Sequence, residues 1–259
     1  MGNYDHRAKG SKPIGYFAQS WYNKKGAMVR VRYIMAPIMK YHRSARRILE
    51  IGCGLGDVLV NLPKRYLISG LDFEEDFIEV ARWRMPKGKF YVHSMHNFKI
   101  DEKFDVIFSA FDALNFLDDF SQWESTFKAV NEHLNENGLF IFDVYTPKML
   151  AVTRHWFETH RRSSFSGRKE KFGYYFDRGL VKGNVLTWDS RIFERLPSGL
   201  YRLNRYRFIE RIYPVARMKS ALSKHFDILE TNLREKGIKI VFVCRKKYSA
   251  APCLRRFNT

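Results

Sequence analysis

Cysteine is scarce in this chain. Cys53, Cys244 and Cys253 are the three in 259 residues, with no metal-ligand spacing and no paired framework. That excludes a thiolate metal centre and a disulfide scaffold, and it fits a reducing cytoplasm. Long apolar runs are also missing, since none approaches the roughly 18 residues of a membrane span. Met1 to Pro13 has no hydrophobic core of a secretory leader. His6 stands where a myristoylation signal needs Ser or Thr. A cytoplasmic chain with no membrane partner is the expectation. Acids are few as well, 27 against 46 Lys and Arg, for a net charge of +19.

The charge is unevenly spread. Residues 1–47 hold 11 basic residues against one acid, and 154–259 hold 25 against 9, so the middle of the chain is net acidic. Basic flanks around an acidic centre would steer anionic partners, or they simply form a solubilising surface. Hydrophobic residues make up 45% and aromatics 16%, enough for one sizeable α/β domain with an insertion.

Arg46 to Asp72 organises the rest. Ile48-Leu49-Glu50-Ile51 has the length and branching of a buried strand. Gly52, Gly54 and Gly56 follow, with Cys53 between the first two, then Asp57 and an amphipathic run, Val58 to Leu62, read as a helix start. Glycine lets a ligand press against bare backbone, and a helix N-terminus favours negative charge. A second apolar run, Tyr66 to Leu71, ends in Asp72. An acid at that tip, about 20 residues beyond the first strand, is placed for a ribose diol.

The pattern E-x-G-x-G-x-G resembles motif I of the class I S-adenosylmethionine-dependent methyltransferases. The resemblance implies S-adenosylmethionine as cofactor, with Glu50, Gly52, Cys53, Gly54 and Gly56 around it. Asp72 is similar to the ribose-binding acid of that family, and Phe73 would lie against the adenine. After the third strand, Lys89 to His93, the family has an Asp for the adenine amine. This chain has Ser94 there, with Met95 left to pack on the ring.

Phe104 to Phe111 reads as a fourth strand and Leu139 to Val144 as a fifth, near-continuous apolar runs of a parallel sheet buried on both faces. Between them Asp119 to Leu134 is helical. The strand tips carry Ser109, Asp112 and Asn115, then Asp143 and Tyr145, where open α/β sheets bind ligands. The pairing of F-D-A-L-N-F-L with F-I-F-D-V-Y-T-P resembles small-molecule methyltransferases that include amino-sugar N-methyltransferases. The fold implied is Rossmann-like: a seven-stranded, mostly parallel sheet with helices on both faces.

From residue 163 the texture changes to alternation. Leu186, Trp188, Ile192 and Leu196 share one face and Thr187, Asp189, Arg191 and Arg195 the other, as in an antiparallel strand. The expected organisation is a helical cap over 1–45, a cofactor domain over 46–162 and 214–247, an antiparallel insert over 163–213 above the active-site mouth, and a basic tail over 248–259. The closing strands are Phe226 to Thr231 and Ile238 to Cys244.

Methyl transfer mainly requires the nucleophile to be held in line with the methyl group. An amine must also arrive unprotonated, so a base helps. Asp112, Asp143 and Tyr145 are the catalytic candidates, and His155, Glu210 and Tyr213 are weaker ones. Tyr16, Trp21, Tyr22, Asn115 and Arg207 are the candidates for a small, anionic acceptor. RNA is the alternative target, since Arg202, Arg205, Arg207 and Arg211 interleave with Tyr201 and Tyr206. Against it, no Asn-Pro-Pro-aromatic run follows strand four and no cysteine nucleophile lies there. A non-catalytic RNA-binding chain of the same fold is the third reading.

Overall fold

The computed structural model describes residues 24–159, 166–170 and 172–247. Tyr16, Trp21 and Tyr22 lie outside them. Helix α1 (Lys24–Tyr41) leads into β1 (Arg47–Ile51), followed by β2 (Leu67–Asp72), α2 (Glu75–Arg84), β3 (Lys89–Val92) and β4 (Phe104–Ser109). Then come α3 (Phe120–His133), β5 (Leu134–Tyr145) and α4 (Pro147–Thr159). Strands β6 (Ser166–Glu170), β7 (Gly173–Lys182), β8 (Val185–Arg195) and β9 (Tyr201–Arg211) form the insert. Helix α5 (Val215–Leu222), β10 (Phe226–Arg234) and β11 (Lys239–Lys246) close the chain.

Seven strands make one sheet in the order β10-β11-β5-β4-β1-β2-β3. It is parallel from β5 to β3, with β11 antiparallel to both its neighbours. Alternate residues of each strand go to opposite faces, and both faces are apolar. Leu49, Ile107, Phe140, Phe142 and Phe242 pack under Trp123 and Phe127 of α3 and Met218 and Leu222 of α5. Ile48, Val106, Ile141 and Val243 pack under Ile34 and Ile38 of α1 and Ile78 and Ala81 of α2. Helix α1 is thus a core helix over its described length, running through Pro37 without a break.

Two expectations are corrected. Beyond Gly56 there is no α-helix, only a single 3-10 turn, Leu59–Asn61. Pro63 forces the residue before it out of the helical region, and Leu62 is extended, with ψ 150°. The loop therefore offers no helix N-terminus. Strand five also begins earlier, at Leu134 rather than Leu139.

The insert is an antiparallel sheet ordered β6-β7-β8-β9. Its inner face puts Tyr175, Ile192 and Tyr206 against Phe77 of α2. Asn115 fastens it to the larger sheet: its side-chain amide donates to the Arg211 carbonyl at 2.8 Å, and its oxygen accepts from the Tyr145 N–H at 3.0 Å. No helix among the described residues is long and apolar enough to cross a membrane.

Candidate active site

A cleft of about 530 Å³ opens at the carboxyl ends of β1, β2 and β4, lined by the glycine loop, Asp72, Phe73, Phe77, the segment from His93 to His96, and Phe111 with Ala113. The loop crosses it in the left-handed region, with φ of 69° at Gly52, 50° at Gly54 and 74° at Gly56. The glycines do different work. A Cβ on Gly52 would meet Ala113 and Met95 at 2.8 Å, and one on Gly56 would meet Met85 at 2.2 Å. A Cβ on Gly54 would find its nearest neighbour, Phe77, at 4.0 Å. Gly54 is the bare backbone that borders the cleft, whereas Gly56 lies against α2 and lines nothing.

Asp72 ties the loop down. Its carboxylate accepts from the Gly54 N–H at 2.8 Å and the Glu74 N–H at 3.1 Å. Burial nevertheless raises its pKa from 3.8 to about 6. Glu50 is 2% exposed and one of its oxygens has no hydrogen-bond partner. Burial, with Asp57 and Asp72 nearby, pushes that carboxyl well above its ordinary range. Burial likewise raises the Cys53 thiol, so it is no nucleophile at neutral pH.

These residues fit S-adenosylmethionine. An orphaned carboxyl oxygen, a glycine with open space above it and an acidic wall suit a ligand that carries an ammonium and a sulfonium. Ser94 lines the cleft and shares a hydrogen bond with His96 Nδ1 at 2.7 Å, while Met95 presents an apolar surface beside it. His93 and His96, which no sequence pattern singled out, join that wall.

Beside the cleft lies a buried charged cluster. Phe111 and Asp112 both have positive φ, 56° and 54°, a strained turn for non-glycine residues. It leaves Phe111 on the cleft and aims Asp112 at Lys239. The Lys239 ammonium bonds the Asp112 carboxylate, lies 3.5 Å from Asp143 Oδ2, and sits 4.7 Å above the Tyr145 ring. Burial pushes Asp112 above its ordinary range even though Lys239 draws it back. Lys239 resists burial: Asp112 and Asp143 together hold its pKa above normal. Burial and the charge of Asp112 raise Tyr145, which stays a protonated phenol. From α1, Tyr33 puts its hydroxyl beside Asp143, and Arg30 stacks on the Phe111 ring at 4.4 Å. From β9, Glu210 accepts from Trp188 Nε1 at 3.1 Å, and burial holds it well above the carboxylate range.

The structure therefore gathers Asp112, Asp143, Tyr145 and Glu210, and adds Lys239, Tyr33 and Arg30. It sets other candidates aside. Ser109 is buried under the cleft with its hydroxyl donating to the Ile51 carbonyl. Asn115 is wholly buried with both ends of its amide engaged, so it anchors the insert and meets no ligand. Tyr213 packs edge-on against Phe120 and Trp123 in the core. His155 is exposed on α4. Arg207 stands on the outer face of the insert, opposite in parity to the buried Tyr206 and Glu210. Lys239 gave no signal because it opens a strand that is apolar from Ile240 to Cys244, and lies 127 residues from Asp112.

Residues 48–138 match a family described as a methyltransferase domain. Among curated relatives of the domain, a putative methyltransferase of Geobacillus sp. (strain WCH70) is 31% identical over 120 residues, covering 44% of this chain and 49% of that protein. A dTDP-3-amino-3,4,6-trideoxy-alpha-D-glucopyranose N,N-dimethyltransferase of Streptomyces venezuelae is 26% identical over 100 residues, covering 38% and 42%. The chain thus spans about half the length of the first of these and less of the second. Among solved structures, an S-adenosylmethionine-dependent methyltransferase from Clostridium acetobutylicum aligns with a TM-score of 0.73 at 17% identity over 91% of this chain and 99% of that one. The sugar N-methyltransferase KedS8 from Streptoalloteichus aligns with a TM-score of 0.74 at 15% identity, over 93% and 95%. At those identities the likeness is one of fold, and it extends the domain's architecture to the insert and the closing strands.

Proposed function

We propose that this protein transfers the methyl group of S-adenosylmethionine to the amine of a small acceptor. The observation that carries the reading is Asp112, a buried carboxylate of raised pKa set between two cleft-lining residues, Phe111 and Ala113. A base whose pKa is moved towards the working pH is suited to proton removal. The bound cofactor supplies an electrophilic methyl on a positively charged sulfur. Glu50, Gly54 and Asp72 would hold it, with Met95 and Phe73 beside it. Asp112 would accept the proton that the amine gives up on being methylated. Lys239 keeps Asp112 in place and its charge matched, while Tyr145 and Tyr33 offer hydroxyl donors. The sugar N-methyltransferases among the structural neighbours support nitrogen as acceptor.

An anionic group elsewhere on the acceptor would meet Arg30, whose Nη2 lies 3.5 Å from Glu235 and whose Nε is buried without a hydrogen-bond partner beside Phe111. Arg205 and Arg207 of the insert do not serve here, because they stand on its outer face. The test pairs calorimetric titration of S-adenosylmethionine with mass-spectrometric assay against amino-sugar nucleotides. Saturable cofactor binding and a mass gain of one methyl on an amine are expected. Absence of cofactor binding would end the reading, and methylation confined to hydroxyl acceptors would move it to oxygen.

A further inference from the structure

The insert sheet sorts its charges by face. Asp177, Glu194 and Glu210 all sit on the inner face with the buried Tyr175 and Tyr206. The outer face carries Arg178, Arg191, Arg195, Arg205 and Arg207. In one row across the strands, Arg178 faces Asp189 and Asp189 faces Arg207; in the next, Arg191 lies directly opposite Arg205. Like charges placed opposite each other on neighbouring strands repel. The single acid in these rows, Asp189, lies 3.7 Å from Arg191 and leaves the face strongly cationic. A third row is apolar, with Tyr174 beside Phe193 and Phe193 beside Leu203. Tyr174 is 40% exposed, and its ring lies 5.9 Å from that of Tyr201, itself 47% exposed.

We propose that this outer face binds single-stranded nucleic acid, with the arginine rows on phosphates and the exposed tyrosines stacking on bases. Rings flanking a cationic stripe suit a strand whose bases are unpaired, since every base offers a face to stack on. The cleft opens on the other side of this sheet, so the strand is a partner rather than the methyl acceptor. Nothing in the proposal depends on which molecule is methylated.

The experiment is fluorescence anisotropy with a short fluorescein-labelled oligouridylate, from about 50 to about 500 mM salt. Affinity should fall steeply with salt. In the double variant Arg205→Glu, Arg207→Glu, the slope of log K on log salt should shrink by about 1.4, at about 0.7 for each phosphate contact on a single strand. S-adenosylhomocysteine binding, measured on the same sample, should not change and reports that the variant is folded. Tyr174→Ala with Tyr201→Ala should weaken binding and leave the slope alone. Absence of oligouridylate binding at low salt would overturn the proposal, as would equal binding by the arginine variant. So would tyrosine variants that bind normally while polyphosphate competes fully, since the face would then be a phosphate site only. Sedimentation showing self-association through this face, lost in the arginine variant and with no oligonucleotide bound, would make a second copy the occupant instead.

Discussion

Asp72 accepts backbone hydrogen bonds, from Gly54 and Glu74 among others, and its pKa is still raised to about 6, because burial outweighs them. The sign of the consequence is definite. A carboxyl raised from 3.8 to about 6 on folding keeps more protons in the folded state between those values. Its contribution to stability is therefore present below pH 3.8 and lost as pH rises through about 6. Cofactor affinity should run the other way, since the ionised carboxylate is the better acceptor for a ribose diol. Thermal melts and calorimetry across that window should show opposite trends, and Asp72→Asn should flatten both. At Gly54, valine would be strained at positive φ and would place methyl groups in the cleft. A folded Gly54→Val with unaltered cofactor affinity would move the site elsewhere. For the cluster, Asp112→Asn should lower kcat by about 10²–10⁴-fold if it is the base. Lys239→Met removes the cation that draws Asp112 down, so the acidic limb of the kcat profile should shift to higher pH. It also breaks a buried pair, at about 3–5 kcal/mol of stability.

At the scale of elements, what was legible followed from local rules. The order of strand, glycine loop, strand and acid, the doubly buried β4 and β5, and the alternation of β8 each depend on neighbours in sequence. What was not legible depends on distance or on competition. The turn after Gly56 looked helical by its apolar spacing, yet Pro63 leaves too few residues before it for an α-turn to propagate. Asn115 looked like a ligand contact at a strand tip, and only the tertiary fold reveals β9 crossing beside it. Lys239 and Tyr33 reach the cluster from opposite ends of the chain with no motif to announce them. Arg207 was assigned to the mouth from composition, but strand parity decides a face and composition does not. Asn115 now carries its own prediction. Asn115→Ala would orphan the Tyr145 N–H and the Arg211 carbonyl, costing about 2–4 kcal/mol. Denaturant melts should register that loss together with loosening of β9. A change within error would mean that the insert is held by its apolar contacts alone.

Across the whole molecule the two layers are unequal. The large sheet is clad on both faces by clusters of long apolar residues from four helices. The insert rests on Tyr175, Ile192 and Tyr206 against Phe77, on Gly179 of β7 against Thr153 and Phe157 of α4, and on the polar tie of Asn115. Its outer face is rich in arginine, with Arg191 opposite Arg205. A layer with few buried apolar contacts and like charges on its surface is where partial opening should begin. Amides of β7 to β9 should therefore exchange hydrogen faster than those of β4 and β5. Sulfate or phosphate should slow the insert selectively, because anions relieve the arginine rows and do nothing for the apolar clusters. Hydrogen exchange read by mass spectrometry, with and without added anion, separates the layers. If both exchange at one rate and respond alike, they unfold as a single unit, and the ties through Asn115, Phe77 and α4 are stronger than their small contact area suggests.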